Sequence, residues 1–115
     1  GLGLIKVDDE EESQEQLRRF FMHNTSHWLG LDVHDVGTYQ PEEEPRLLEE
    51  GMVLTIEPGL YIAGWRPDLD DVDDAWKGLG VRIEDDVHVT SEGPEVLSSD
   101  CPKEIDQIES IVGSV

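Results

Sequence analysis

Three short patches of the chain carry side chains able to ligate a divalent metal ion. The first holds His23, His27 and His34, three of the four histidines, within the run FFMHNTSHWLGLDVHDVG. The second is Glu57 in TIEPGLY, and the third is Glu84 in VRIEDD. Neutral imidazole binds borderline metals well, and its second ring nitrogen can be oriented by a carboxylate such as Asp32 or Asp35. Carboxylate oxygens are the other donors that complete such a site. Each patch also has a plainer account. A lone histidine can satisfy a buried hydrogen bond, Glu57 can form a salt bridge or decorate a turn, and Glu84 can pair with Arg82 on a strand surface. Trp28 lies beside the histidines and is a candidate wall of a substrate pocket. Trp65 and Trp76 read as loop or interface packing. Ser26 has histidines nearby but no nucleophile elbow around it, which excludes serine catalysis.

The elements that would position these groups are short. Acidic residues 8–16 favour a helix amino terminus through the dipole, which predicts a helix over residues 9–19. Residues 20–37, punctuated by Gly30 and Gly37, read as a strand or loop that displays side chains. If that segment is extended, odd-to-odd spacing puts His23 and His27 on one side. Residues 46–50 suggest a helical turn stopped by Gly51. The β-branched run at 52–56, closed by Pro58 and Gly59, is a strand that ends at Glu57, and residues 60–62 continue as a second. Residues 64–80 read as a long Asp-rich loop. Alternation at 81–84 and 87–90, joined by Asp85 and Asp86, predicts a hairpin or a bulged strand. A final helix is expected over 103–112, with Ile105, Ile108 and Val112 forming a face to pack on a sheet. The class is α+β, and the 115 residues suit a single domain.

Charge is the compositional outlier: 28 acidic residues against 8 basic ones give a net charge of -20. So few cations argue against direct nucleic-acid binding, which depends on neutralising phosphates. Self-repulsion at this density points either to a salt-adapted (halophilic) cytosol or to an acidic surface that recruits a basic partner. The acids are spread along the chain rather than gathered into a tail, which favours salt adaptation. Leu, Ile, Val and Phe together exceed the roughly one-fifth below which disorder is the default. Cys101 is the single cysteine, so no internal disulfide forms and a reducing interior is the natural setting. The amino-terminal stretch reads as neither a signal peptide nor a membrane span, so the chain is expected to be soluble and cytoplasmic.

The order His-x-x-Ser-His-x-Leu-Gly-Leu-Asp-Val-His-Asp-Val-Gly, then Thr-Ile-Glu-Pro-Gly-Leu-Tyr, then Gly-Val-Arg-Ile-Glu-Asp-Asp resembles one metallopeptidase family. This is the creatinase/methionine aminopeptidase ("pita-bread") family, in its Xaa-Pro aminopeptidase or aminopeptidase P branch. The resemblance runs from about residue 20 to residue 89. It implies the carboxy-terminal half of a pita-bread catalytic domain, with short antiparallel strands and two flanking helices. It also implies a dinuclear site: His27 as ligand to one metal, Glu57 as a further ligand, and Glu84 as the bridge. His23 and His34 would contact substrate or the tetrahedral intermediate, Arg82 would brace Glu84, and Glu57 could take a proton. Manganese, two ions per complete site, is the implied cofactor, with zinc or cobalt as alternatives. The implied reaction is release of the residue before proline, by attack of a hydroxide held between the metals. The substrate would be a peptide with proline in second position.

Two aspartate ligands of the family pattern are absent, since Asp8 and Asp9 lie in the acidic helical stretch and do not map onto them. Asn24 stands where the family usually has glycine. Half a pita-bread leaves a sheet edge and an apolar face uncovered. The chain is therefore expected to be a carboxy-terminal piece of a longer enzyme, inactive alone. Its completing partner would be the missing amino-terminal half or a second copy. The alternative is a non-catalytic pita-bread module that binds a peptide or a basic protein through its acidic surface. Salt adaptation carries its own test: thermal stability should rise steeply from low to molar potassium chloride, as screening shortens to a few ångströms. A flat response would favour the partner-binding surface.

Overall fold

The computed structural model describes residues 4–5 and 10–113. It contains α1 (Glu10–Phe20), β1 (Val53–Ile56), β2 (Gly59–Tyr61), β3 (Gly80–Arg82), β4 (Asp85–Thr90), β5 (Gly93–Val96) and α2 (Ile105–Val112). These fall into two compact units, Gly1–Asn24 with Pro58–Arg82, and Thr25–Glu57 with Ile83–Val115.

In the first unit, α1 places its acids at the amino end and Arg18 and Arg19 in the last turn, as the helix dipole favours. Of the expected helix over 9–19, residue 9 lies outside the described residues, as do Asp8 and the rest of 6–9. The helix delivers Phe20 into a core with Ile62, Leu69 and Val72, against which Leu4, Ile5 and Leu60 pack. Leu69 and Val72 come from the expected loop at 64–80. That loop is folded into two 3-10 turns, Pro67–Leu69 and Asp74–Trp76, and is not a mere surface excursion. Arg66 donates to both carboxylate oxygens of Asp68 at 2.9 and 2.6 Å, and Arg19 ion-pairs with Asp71. Strands β2 and β3 pair antiparallel, with Gly59 opposite Arg82 and Tyr61 opposite Gly80.

The second unit is a three-stranded antiparallel sheet in the order β1-β4-β5, with Leu54 opposite Val87 and Val89 opposite Pro94. The expected hairpin between 81–84 and 87–90 is not formed, because β3 pairs with β2 while β4 pairs with β1 and β5. Asp85 and Asp86 begin β4 instead of turning the chain. The Ser98 hydroxyl donates to Asp85 at 2.6 Å and accepts from the Asp86 N–H at 3.0 Å, and Lys103 ion-pairs with Asp85. Strand β5 went unforeseen since it contains Pro94, which an edge strand tolerates. The β4–β5 turn needs Gly93, whose φ is +125°, and it is closed by the Thr90 hydroxyl donating to the Gly93 carbonyl at 2.7 Å.

Two helical expectations fail in part. Residues 46–50 are irregular; Pro45 holds Glu44 extended at ψ 144°, and Leu47 and Leu48 stay exposed, so no burial drives a turn of helix. Helix α2 forms, but Ile105 and Val112 remain about three-quarters exposed, at 71 and 75 %, so the expected sheet-facing stripe is open. Among the described residues no helix is long and apolar enough to cross a membrane.

The hydrogen bonds from Arg66 to Asp68 and from Arg19 to Asp71 hold both carboxyl groups below their ordinary value of 3.8. A carboxyl with a depressed folded pKa stabilises the fold above its unfolded value and ceases to do so as pH falls through the folded one. Thermal melts of wild type and Asp71→Asn should therefore differ at neutral pH and converge below 3.8. A difference that persists unchanged into acid would contradict this pairing.

Candidate metal centre

The centre is built on β1. Its buried residues Leu54 and Thr55 fix the strand, and residues 25–29 run alongside it as an irregular extra rung. The Leu29 N–H donates to the Val53 carbonyl at 3.1 Å, Thr55 N–H to His27 at 3.0 Å, and Glu57 N–H to Thr25 at 2.7 Å. An isolated antiparallel bridge pairs Trp28 with Leu54. This stitching sets His27 beside the end of β1, where Glu57 emerges.

Glu57 is 7 % exposed, a placement that costs free energy unless the carboxylate is bonded. The Thr55 hydroxyl donates to its Oε1 at 3.0 Å, and His27 Nε2 lies 3.3 Å from the same oxygen. His27 Nδ1 is 3.1 Å from the Trp28 carbonyl. A carbonyl can only accept, so Nδ1 carries the proton in the neutral ring and Nε2 turns its lone pair toward Glu57. Two acceptors facing each other at that distance require a shared cation or an added proton.

Glu84 completes the arrangement: one ligand atom from each of His27, Glu57 and Glu84 lies within 4.8 Å of the others. Nitrogen and oxygen donors around one divalent ion at about 2.0–2.2 Å sit no more than about 4.4 Å apart. A slight contraction brings this set to that distance, and one imidazole with two carboxylates suits zinc or manganese chemistry. The donor set and the acceptor-on-acceptor contact thus fit a divalent cation.

His34 stacks edge-on against His27, with ring centroids 4.4 Å apart at 78°. Trp28 stacks on Tyr39 at 5.2 Å with rings nearly parallel. The Arg46 guanidinium sits 6.0 Å from the Trp28 ring. A Cβ on Gly37 would come within 2.5 Å of the indole, so this glycine admits the ring. A small cavity of about 130 Å³ opens beside it, lined by Trp28, Val36, Gly37, Arg46 and Met52. The aspartates expected to orient imidazoles do not orient His27; the Trp28 carbonyl does, and Asp35 instead folds against Gly30.

His23 and Arg82 belong to the other unit. There, His23 Nδ1 donates to the Asn24 carbonyl at 2.7 Å, and the Tyr61 hydroxyl lies 2.9 Å from Nε2. In the neutral ring the tyrosine is therefore the donor. Arg82 is an exposed residue at the end of β3. The fourth histidine, His88, pairs across strands with Glu95 at 3.0 Å and takes no part.

Thr55 and Tyr61 were missed from the sequence. For Thr55 a signal existed, since strand periodicity puts residues 55 and 57 on one face, with a lone hydroxyl inside an apolar run. Tyr61 offered a weaker one, its place in the short strand that follows the Pro-Gly turn.

Comparison with known proteins agrees with this picture. A family model described as "Metallopeptidase family M24" matches residues 5–91. The chain is 51 % identical over 112 residues to an Xaa-Pro aminopeptidase of Escherichia coli, covering 96 % of this chain and 24 % of that protein. It is 46 % identical over 110 residues to human Xaa-Pro aminopeptidase 3, covering 96 % of this chain and 20 % of the relative. The structure of Pseudomonas aeruginosa aminopeptidase PepP superposes with a TM-score of 0.84 at 51 % identity, over 96 % of this chain and 24 % of that one. The chain thus spans about a quarter of the length of these relatives.

Proposed function

Since the chain belongs to metallopeptidase family M24, a family of divalent-metal enzymes with a pita-bread fold, we infer that it is the carboxy-terminal, metal-ligating part of an Xaa-Pro aminopeptidase. The reaction is hydrolytic release of the residue that precedes proline at a peptide's amino end. The observation that carries this reading is the convergence of His27, Glu57 and Glu84 from three separate sequence patches, within 4.8 Å, in a chain about half identical to such enzymes.

His27 Nε2 and the Glu57 and Glu84 carboxylates would hold the metal, with manganese the first choice. The chemistry such a metal supplies when bound is activation of water near neutral pH and stabilisation of a developing oxyanion. Glu57, kept nearly dry and oriented by Thr55, accepts a proton from the attacking water. His34, edge-on to His27, contacts the substrate. Trp28 borders the peptide.

Three ligands do not make a dinuclear site, which in the family pattern takes two aspartates as well. Those donors come from polypeptide beyond these 115 residues or from a second copy. An open apolar groove of about 490 Å³ on the β1-β4-β5 sheet, lined by Leu54, Ile56, Val87 and Val96 among others, supports the need for covering polypeptide. The net charge of -20 favours one competing reading, a non-catalytic module that binds a basic partner. A retired site, however, has no physical reason to keep all three ligands converging.

Calorimetric titration with manganese should show binding that weakens more than about tenfold in His27→Ala. No release of the amino-terminal residue from an Xaa-Pro peptide is expected from the 115 residues alone. Equal manganese binding in the variant would contradict the ligand assignment. Turnover by the isolated chain would contradict the incomplete site.

A further inference from the structure

Thr55 is 1 % exposed and lies on β1, two residues before Glu57. Its hydroxyl sits between the two groups that would share a cation. It accepts from the His27 N–H at 3.0 Å and donates to Glu57 Oε1 at 3.0 Å. The Thr55 N–H also donates to the His27 carbonyl at 3.0 Å, so the two residues are joined at backbone and side chain together. Where a strand carbonyl would ordinarily accept from His27, a side-chain hydroxyl does so.

We propose that Thr55 is a positioning residue for the metal centre, a single hydroxyl that fixes both His27 and Glu57. A hydroxyl has one proton to give. Donated to Glu57 Oε1, that proton sets the rotation of the carboxylate and leaves its remaining lone pairs for a cation. The lone pair that receives the His27 N–H fixes the backbone from which the imidazole extends, and the Trp28 carbonyl then fixes the ring. Threonine suits the task better than serine because branching at Cβ stiffens χ1, so the hydroxyl stays where both partners need it. Outer-shell partners of this kind typically change metal affinity by 10- to 100-fold when removed.

This inference rests on reading His27, Glu57 and Glu84 as a metal site, so the test separates the two. Manganese is titrated calorimetrically into wild type, Thr55→Val, Thr55→Ser and His27→Ala. Valine keeps the shape, the branching and the strand propensity but removes the hydroxyl, while serine keeps the hydroxyl and loses the methyl. The expected order of affinity is wild type, then serine close behind, then valine about 10- to 100-fold weaker. A purely structural threonine would give the opposite ranking, since valine preserves the buried packing that serine loses. Manganese binding to Thr55→Val as tight as to wild type, with His27→Ala impaired, would overturn the role of Thr55 and leave the metal site standing. Binding unaffected by His27→Ala, or none by wild type, would remove the site and this inference with it. A second readout needs no metal: the His27 amide should exchange with solvent faster in Thr55→Val than in wild type or Thr55→Ser. Equal exchange in all three would also overturn the proposal.

Discussion

The candidate site depends on a short backbone ladder between residues 25–29 and β1. His27 and Glu57 are thirty residues apart in sequence, and neither lies in a regular element long enough to aim it alone. Three N–H to carbonyl bonds of 2.7–3.1 Å make the irregular histidine segment follow a strand that is itself held by β4. The strand's rigidity is thereby lent to a segment that has none of its own. Leu54 supplies the buried anchor on one face of β1, while Thr55 and Glu57 occupy the other as polar groups. Positioning catalytic side chains by a strand and its flanking loop is how rigid scaffolds keep loop residues accurate.

Electrostatics give that geometry its meaning. His27 Nε2 lies 3.3 Å from the Glu57 carboxylate, and Glu84 adds a second carboxylate to the same small volume. Such a cluster is poorly tolerated without positive charge between its members. The chain has few cations to spare for it. With 8 basic residues against 28 acidic ones, most carboxylates have no basic side chain to match them. Several of the cations are committed elsewhere, Arg19 and Arg66 to Asp71 and Asp68, Lys77 to Asp74, and Lys103 to Asp85. The excess negative charge raises the local concentration of any divalent cation, and only a site with converging donors selects one.

Much of this is legible in the sequence. The metal-binding residue types, their order and the strand that ends at Glu57 are local signals, carried by a few adjacent side chains. Pairing partners were not legible in the same way. Alternation at 81–84 and 87–90 identified two extended segments correctly but could not say that β3 belongs with β2 while β4 sits between β1 and β5. Strand β5 was hidden by Pro94, a residue whose penalty disappears at a sheet edge. The apolar stripe on α2 is plain in the sequence, yet periodicity does not specify what covers it, and Ile105 and Val112 remain open. Thr55 was overlooked for a different reason. Its hydroxyl reaches Glu57 at the end of the strand, but the bond it accepts from the His27 N–H exists only once residues 25–29 have folded against the strand.

The central claim is that His27, Glu57 and Glu84 share a cation that the rest of this acidic surface does not capture. Crystals grown with manganese and measured at its absorption edge test it directly. The account predicts an anomalous peak within about 2.0–2.2 Å of His27 Nε2 and of an oxygen from each of Glu57 and Glu84. A peak held only by surface carboxylates, such as those near Asp70 and Asp74, with the His27 site empty, would contradict it.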